Sequence, residues 1–193
     1  MQNPATQKRE LTDDKALIIR AKQGDSDAVG ALYERFRLGI FRYLYYRSGD
    51  PQAADDLTSE VFLRMIRALA AFRLQDSAFQ AWLYQIARNV LYDHYRQARS
   101  RNHVQLEETL MEGIETTRAR PVERALNSVT LQKALDRLPV EQRDVILMRF
   151  VSGMAIGEVA QALDRSEDAV KGLQRRALAS LRDVLTDWEI HYA

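Results

Sequence analysis

The sequence predicts an all-α chain of two small helical domains joined by a flexible linker. Three observations support that class. Apolar residues recur three and four positions apart through residues 13–101 and again after 128, the mark of helices with one buried face. Gly24, the run Ser48, Gly49, Asp50, Pro51, and later Pro139 and Gly153 break those patterns into lengths suited to single helices. Between the two regions the periodicity is lost, and Gly113, Pro121 and a group of glutamates take its place. The expected boundaries are a disordered lead over 1–12, a first domain over 13–103, a linker over 104–127 and a second domain over 128–193.

The bounds agree with this division. A length of 193 residues suits two small domains, and 46% hydrophobic with 28% charged residues is an ordinary globular mixture. The absence of cysteine excludes disulfides and thiolate metal sites within the chain and fits a reducing, cytoplasmic setting. The polar start MQNPATQKREL lacks an apolar signal core, and no run approaches the length of a membrane span, so no membrane contact is expected.

In the first domain, Asp13 or Thr12 can cap a short helix carrying Leu17, Ile18 and Ala21, ended by Gly24. A second helix runs from about Asp27 to Arg47 through Leu32, Phe36, Ile40, Phe41 and Leu44. Pro51 opens a third, where its missing N–H leaves nothing unpaired. Its core stripe is Leu57, Val61, Met65, Leu69 and Phe72. Its outer face carries Asp56, Glu60, Leu63 and Arg67 with Asp55 and Ser59 at the edges, an acidic surface around an exposed leucine that suits a basic partner helix.

After a short loop at 73–78 comes the stretch AWLYQIARNVLYDHYRQARSR, where rings and guanidinium groups interleave at helical spacing. Phe79, Trp82, Leu83, Ile86 and Val90 are expected on a core face, and Tyr84, Arg88, Tyr92, Tyr95 and Arg99 on the opposite, outward one. Such a row offers cations for phosphates and flat faces for unstacked bases, each stacked base contributing roughly 1–3 kcal/mol. The net charge of +1 hides the asymmetry: residues 88–103 carry four Arg and two His against Asp93, and 106–115 carry four Glu.

The second domain begins near Asn127 or Ser128 as a cap. Leu131, Leu135 and Leu138, then Val145, Ile146, Met148 and Phe150, are its expected core. A short helix over 155–163, a break at Asp164, Arg165 and Ser166, and a long helix from Glu167 to about Leu185 have helix-turn-helix spacing. Val159, Leu163, Val170, Leu173, Ala177 and Leu181 supply the shared core, and Lys171, Arg175, Arg176 and Arg182 face outward as a DNA-binding helix would present them.

The segments AADDLTSEVFLRMIRALAAF, FQAWLYQIARNVLYDHYRQARSR and LDRLPVEQRDVILMRFVSGMAIGEVAQALDRSEDAVKGLQRRALASLR together resemble a bacterial sigma factor of the sigma-70 family. The small size resembles the extracytoplasmic-function group, which retains only the promoter-reading regions 2 and 4, and the likeness covers about residues 13–185. It implies a subunit that directs core RNA polymerase to promoters. Docking on core would involve Asp55, Asp56, Leu57, Ser59, Glu60 and Leu63. The opened minus-10 strand, with a flipped base, would meet Phe72, Tyr84, Ile86 and Asn89, and Arg88, Tyr92, Tyr95, Arg96 and Arg99 would follow the strand or the flanking duplex. Ser166, Glu167, Lys171, Gly172, Arg175 and Arg176 would meet the minus-35 duplex. Core RNA polymerase and promoter DNA are the implied partners, with an anti-sigma factor as a further one.

Three positions depart from the family pattern. Asp164 stands where the turn commonly has Gly, Ala155 where Ser or Thr often caps, and Gly172, Leu173, Gln174 where Ser, Arg, Leu is usual, so an expected DNA-facing arginine is missing. The rival from another class is a one-component repressor or activator whose first domain dimerises or senses a ligand, which would need a palindromic duplex site and no polymerase. An enzyme ranks behind both: His94, His103 and His191 lack metal-ligand spacing and an adjacent acid-base set, so no catalytic residue, metal or cofactor is expected.

Overall fold

The computed structural model describes residues 14–74, 78–104 and 131–192, with side chains through Ala98 in the fourth helix and through Val184 in the last. Every regular element among these residues is helical. The expectations for the lead, the linker, the cap at 127–128 and Arg99, His103 and His191 lie outside the described side chains.

Helix α1 covers 14–22 and stops as Gly24 turns to φ 89°. Asp25 starts α2 (Ser26–Ser48): its carboxylate accepts the N–H groups of Asp27 and Ala28 and is held from the other side by Arg20 at 2.8 Å. Those bonds satisfy donors that a helix start leaves without partners. Gly49, at φ 75°, ends α2 by donating its N–H to Tyr45 O. Asp50 then caps α3 (Pro51–Ala68), with Pro51 in the first turn. A short 3-10 turn at Leu69–Ala71 leads to the loop before α4 (Phe79–Val104).

In the second half, α5 covers 131–136 and α6 is Val140–Ile146, entered through Pro139. It runs into a π turn, Leu147–Val151, closed by Ser152 N–H on Leu147 O at 3.0 Å. The pair α7 (Ile156–Leu163) and α8 (Glu167–Tyr192) follows. Two expected core residues are corrected here. Phe150 is 56% exposed because the wider π turn rotates the chain past it, and Met154 enters the core in its place. Leu131, in the first turn of α5, is 39% exposed.

The two halves do not stand apart. Helices α2, α3 and α4 pack on one another, as do α6, α7 and α8; α4 against α7, and α2 against the π turn, join the two sets. One contiguous apolar core runs from Leu32, Ile40, Met65 and Leu83 to Leu135, Leu147, Val159 and Val170.

Candidate nucleic-acid interface

Three faces of the molecule hold the candidate residues. On α3, Asp55, Asp56 and Ser59 are exposed, and Leu63 is 48% exposed beside them. Leu57, within the same run, points inward at 7% and belongs to the core. Glu60 accepts from Arg64 at 2.7 Å, and Arg64 reaches on to Asp93 of α4 at 2.8 Å, where Arg96 also binds. The hydrogen bond from Arg64, with the charge of Arg96, holds the Asp93 carboxyl below its ordinary value despite the opposing effect of burial. This ladder ties the acidic face of α3 to the basic end of α4.

The face of α4 differs from the expected one. Tyr84, expected outward, is 1% exposed. Its ring meets Tyr43 edge-on at 5.4 Å, and burial pushes its phenol up. A Cβ on Gly39 would lie 3.0 Å from the Tyr84 hydroxyl, so glycine there makes room for it. Arg88 is half-buried: it donates to Ala162 O of α7 at 3.1 Å and lies 3.6 Å from Asp144 of α6. Tyr95 is half-buried, with its hydroxyl donating to Arg47 O. The physical reasons differ: α2 of the same set packs on Tyr84 and holds Tyr95, whereas α6 and α7 of the second set engage Arg88. Periodicity finds a helix with two opposed faces, and here both are occupied near its start.

Further along α4, Tyr92 is exposed on the expected outward face, Asn89 and Arg96 are exposed as well, and Arg88 lies 5.7 Å from the Tyr92 ring. Ile86 is half-buried, intermediate between the core and lining roles considered for it. Phe72 is buried at 5% against Phe79 and Trp82, and its carbonyl accepts from Lys22 of α1 at 2.6 Å. The side chains at 72 and 82 therefore make one aromatic cluster at the mouth of the loop.

The helix-turn-helix face matches its expectation closely. Asp164 adopts φ 52°, ψ 53°, the left-handed turn conformation, and its N–H returns to Ala160 and Gln161 carbonyls. Ala155 accepts no bond at the start of α7, but its N–H donates to Glu158 at 2.7 Å, half of a capping box. Ser166 accepts the Ala169 N–H at 3.2 Å and so caps α8. Glu167, Lys171, Arg175 and Arg176 are exposed, with Lys171 held by Asp168 at 3.1 Å. Leu173 is buried at 8%, and the Arg176 guanidinium lies 3.5 Å from where a Cβ on Gly172 would stand. Gln174 is half-buried and accepts from Arg149 at 3.3 Å, which satisfies the amide oxygen that interrupts the apolar stripe.

Sequence reasoning missed Asp144. It is 1% exposed, and its carboxylate meets Tyr43 Oη at 2.9 Å and Arg47 Nε at 2.9 Å, both from α2. Burial pushes its carboxyl up against the pull of Arg47, Tyr43 and Arg88. Burial also opposes the Arg47 charge, but Asp144 and its neighbours outweigh it and raise that group. The available signal was a lone acid set against the apolar run Val145, Ile146, Leu147. Among the described residues, no group of three or more His, Asp or Glu could hold a metal, and no helix is long and apolar enough to cross a membrane.

A helix-turn-helix with a cationic second helix, packed beside a helix that exposes Asn89, the Tyr92 ring and Arg96, defines a DNA-binding protein of two helical modules. Residues 32–101 match the family model of Sigma-70 region 2, and residues 128–181 that of Sigma-70, region 4. The chain is 38% identical over 172 residues to the ECF RNA polymerase sigma factor BldN of Streptomyces coelicolor, a match covering 89% of this chain and 65% of that protein. It is 34% identical over 175 residues to the ECF RNA polymerase sigma factor SigD of Mycobacterium tuberculosis, covering 87% and 82% respectively. The solved structure of CnrH in complex with the cytosolic domain of CnrY superposes with a TM-score of 0.71 at 26% identity, over 90% of this chain and 97% of that one. The chain belongs to the sigma-70 family, among its ECF members. It is an RNA polymerase sigma factor, a subunit for promoter-specific initiation of transcription.

Proposed function

We propose that the chain binds core RNA polymerase through Asp55, Asp56, Ser59, Glu60 and Leu63 of α3, with Leu57 supporting that surface from the core. In this reading the unit over 13–103 also takes the opened minus-10 strand, and the unit over 128–193 reads the minus-35 duplex, with 104–127 between them. Asn89, Tyr92 and Arg96 meet the strand first; Phe72, Tyr84, Ile86, Arg88, Tyr95 and Arg99 complete the set. Ser166, Glu167, Lys171, Gly172, Arg175 and Arg176 face the major groove. Trapping an unstacked base offsets an unstacking cost of a few kcal/mol.

The observation that carries this reading is the cationic row of α8 sharing one molecule with the exposed Asn89, Tyr92 and Arg96 of α4. The chain acts without covalent chemistry of its own and works in the cytoplasm. An anti-sigma factor is a further partner, since CnrH, its structural neighbour, is complexed with CnrY. In vitro transcription from genomic fragments, with core polymerase alone and with this protein added, tests the reading. New, discrete start sites are expected only with the protein; their absence on every fragment would overturn it.

A further inference from the structure

Lys22, the last residue of α1, donates from Nζ to Phe72 O at 2.6 Å, fifty positions along the chain. The way α3 ends frees that acceptor. After the 3-10 turn Leu69–Ala71, Phe72 donates its N–H to Leu69 O at 3.1 Å and turns to an extended backbone, φ -63° and ψ 135°. Its carbonyl thus leaves the helical line at the negative end of α3, where a donor is needed and a cation is favoured. Lys22 supplies both from a fixed support. Ile18 and Ala21 anchor α1 in the core, Asp25 N–H returns to Arg20 O at 3.2 Å, and the Asp25 carboxylate holds Arg20 while it caps α2. Donor and acceptor both belong to the first helical set, so the bond requires nothing of α6, α7 or α8.

The Phe72 ring packs edge-on against Phe79 at 5.5 Å and tilted against Trp82 at 4.6 Å, and Phe36 of α2 meets Phe79 at 5.4 Å. Trp82 is half-buried at the margin of this cluster. Ring packing fixes the side chain of Phe72. The bond from Lys22 fixes its carbonyl, and with it the direction in which Arg73 and Leu74 leave α3. Selection of an unstacked base depends on such placement, because a misplacement of about 1 Å costs a site much of its selectivity.

We propose that Lys22 is a positioning residue for minus-10 selection: its ammonium clamps the Phe72 carbonyl and so sets the aromatic cluster of Phe72, Phe79 and Trp82 in the place where the unstacked base is discriminated. The proposal rests on the assignment of Phe72 and α4 to the opened strand. Lys22 acts through Phe72 and not by touching the strand. A direct phosphate contact by the same cation would read differently, weakening all sequences alike and contributing about one unit of salt slope. A positioning residue changes which base is preferred and leaves the slope as it was.

The test presents core polymerase and the full chain with a pre-melted pool randomised over the minus-10 element, built on a promoter that the unmodified chain transcribes. Lys22→Met keeps the apolar stem and removes the ammonium. It should lower the preference at the most selected base by about five- to tenfold, with the salt slope and the helical circular dichroism unchanged. Lys22→Arg, which restores a cationic donor, should recover the preference. The free chain offers a second readout: Trp82 and Trp188 are its two tryptophans, so in a Trp188→Phe background the emission is that of Trp82. Lys22→Met should there raise the acrylamide quenching constant, and Lys22→Arg should return it to the starting value. An unchanged base preference for Lys22→Met overturns the proposal while the sigma reading survives. So does equal weakening at every base with a reduced salt slope, which would make Lys22 a phosphate contact. If the unmodified chain transcribes from no promoter, the minus-10 assignment fails and the role of Lys22 in selection with it; the quenching of Trp82 then reports the clamp independently.

Discussion

Arg175 and Arg176 are neighbours in sequence, but their surroundings differ. The Arg176 guanidinium lies back over Gly172, whereas Arg175 lines the exposed faces of α8 on both sides, beside Lys171 and Gln174 and beside Gly172 and Arg176. A bidentate arginine on guanine discriminates by about 1–3 kcal/mol, whereas a phosphate contact lowers affinity uniformly and reduces the salt slope by about one unit. Arg175→Ala should therefore change which minus-35 variants are accepted, and Arg176→Ala should weaken all of them alike. A randomised minus-35 library selected at two salt concentrations checks both; an unchanged preference for Arg175→Ala would leave Lys171 as the better candidate reader. For the minus-10 residues, the exposed Asn89 is the clean probe. Asn89→Ala should impair opening of duplex promoters and be rescued on a pre-melted template, as read by permanganate footprinting. Tyr84→Ala would mix function with folding, because removing a buried aromatic ring costs about 3–5 kcal/mol. Tyr84→Phe keeps the ring and is the variant to use there.

At the scale of the element, the helix ends of the helix-turn-helix motif are its weak points. Asp164 holds a left-handed conformation that glycine adopts without cost, and Ala155 leaves its helix start half-capped. Asp164→Gly and Ala155→Ser should each stabilise the chain by about 1 kcal/mol, measured by urea unfolding. Helix α3 makes a different prediction. Asp56→Arg should weaken pull-down of core polymerase and leave the circular dichroism unchanged, because Asp56 is exposed. Glu60→Arg should weaken docking too, with a further loss of stability, because it sets a like charge beside Arg64. Retention of core by both variants at physiological salt would move the interface elsewhere.

The caps also predict the acid limb of stability. The Asp25 carboxyl is lowered by the Ala28 N–H and by Arg20, and the Asp93 carboxyl by Arg64. Because both folded values lie below the unfolded ones, the unfolded chain takes up these protons first as pH falls. Their stabilisation is complete above the ordinary carboxylate range and is lost as pH falls through the lowered folded values. Asp25→Asn keeps a capping oxygen without the titration, so its urea midpoint should fall less between about pH 5 and pH 2 than that of the wild type. An equal fall would assign the acid loss to other carboxylates.

For the whole molecule, the sequence by itself determined the helices, their stops and the two regions. Those follow from local chemistry: apolar spacing, the stop at Gly24, the break Ser48, Gly49, Asp50, Pro51, the turn at Asp164, and Pro139 at a helix start; the Asp25 cap emerged only in the structure. It also carried the family likeness and the outward placement of Asp56, Tyr92, Lys171 and Arg175. What only the tertiary structure decided is how the two helical sets meet. Periodicity separates the two faces of α4 but does not show that α2 packs on Tyr84 or that α6 and α7 engage Arg88, so Tyr84 and Arg88 could not be distinguished from Tyr92 in the sequence. A charge such as Asp144 in an apolar run has no partner within its own helix. Its partners, Tyr43 and Arg47, lie about a hundred positions earlier, and burial of all three depends on long-range packing that no local pattern encodes.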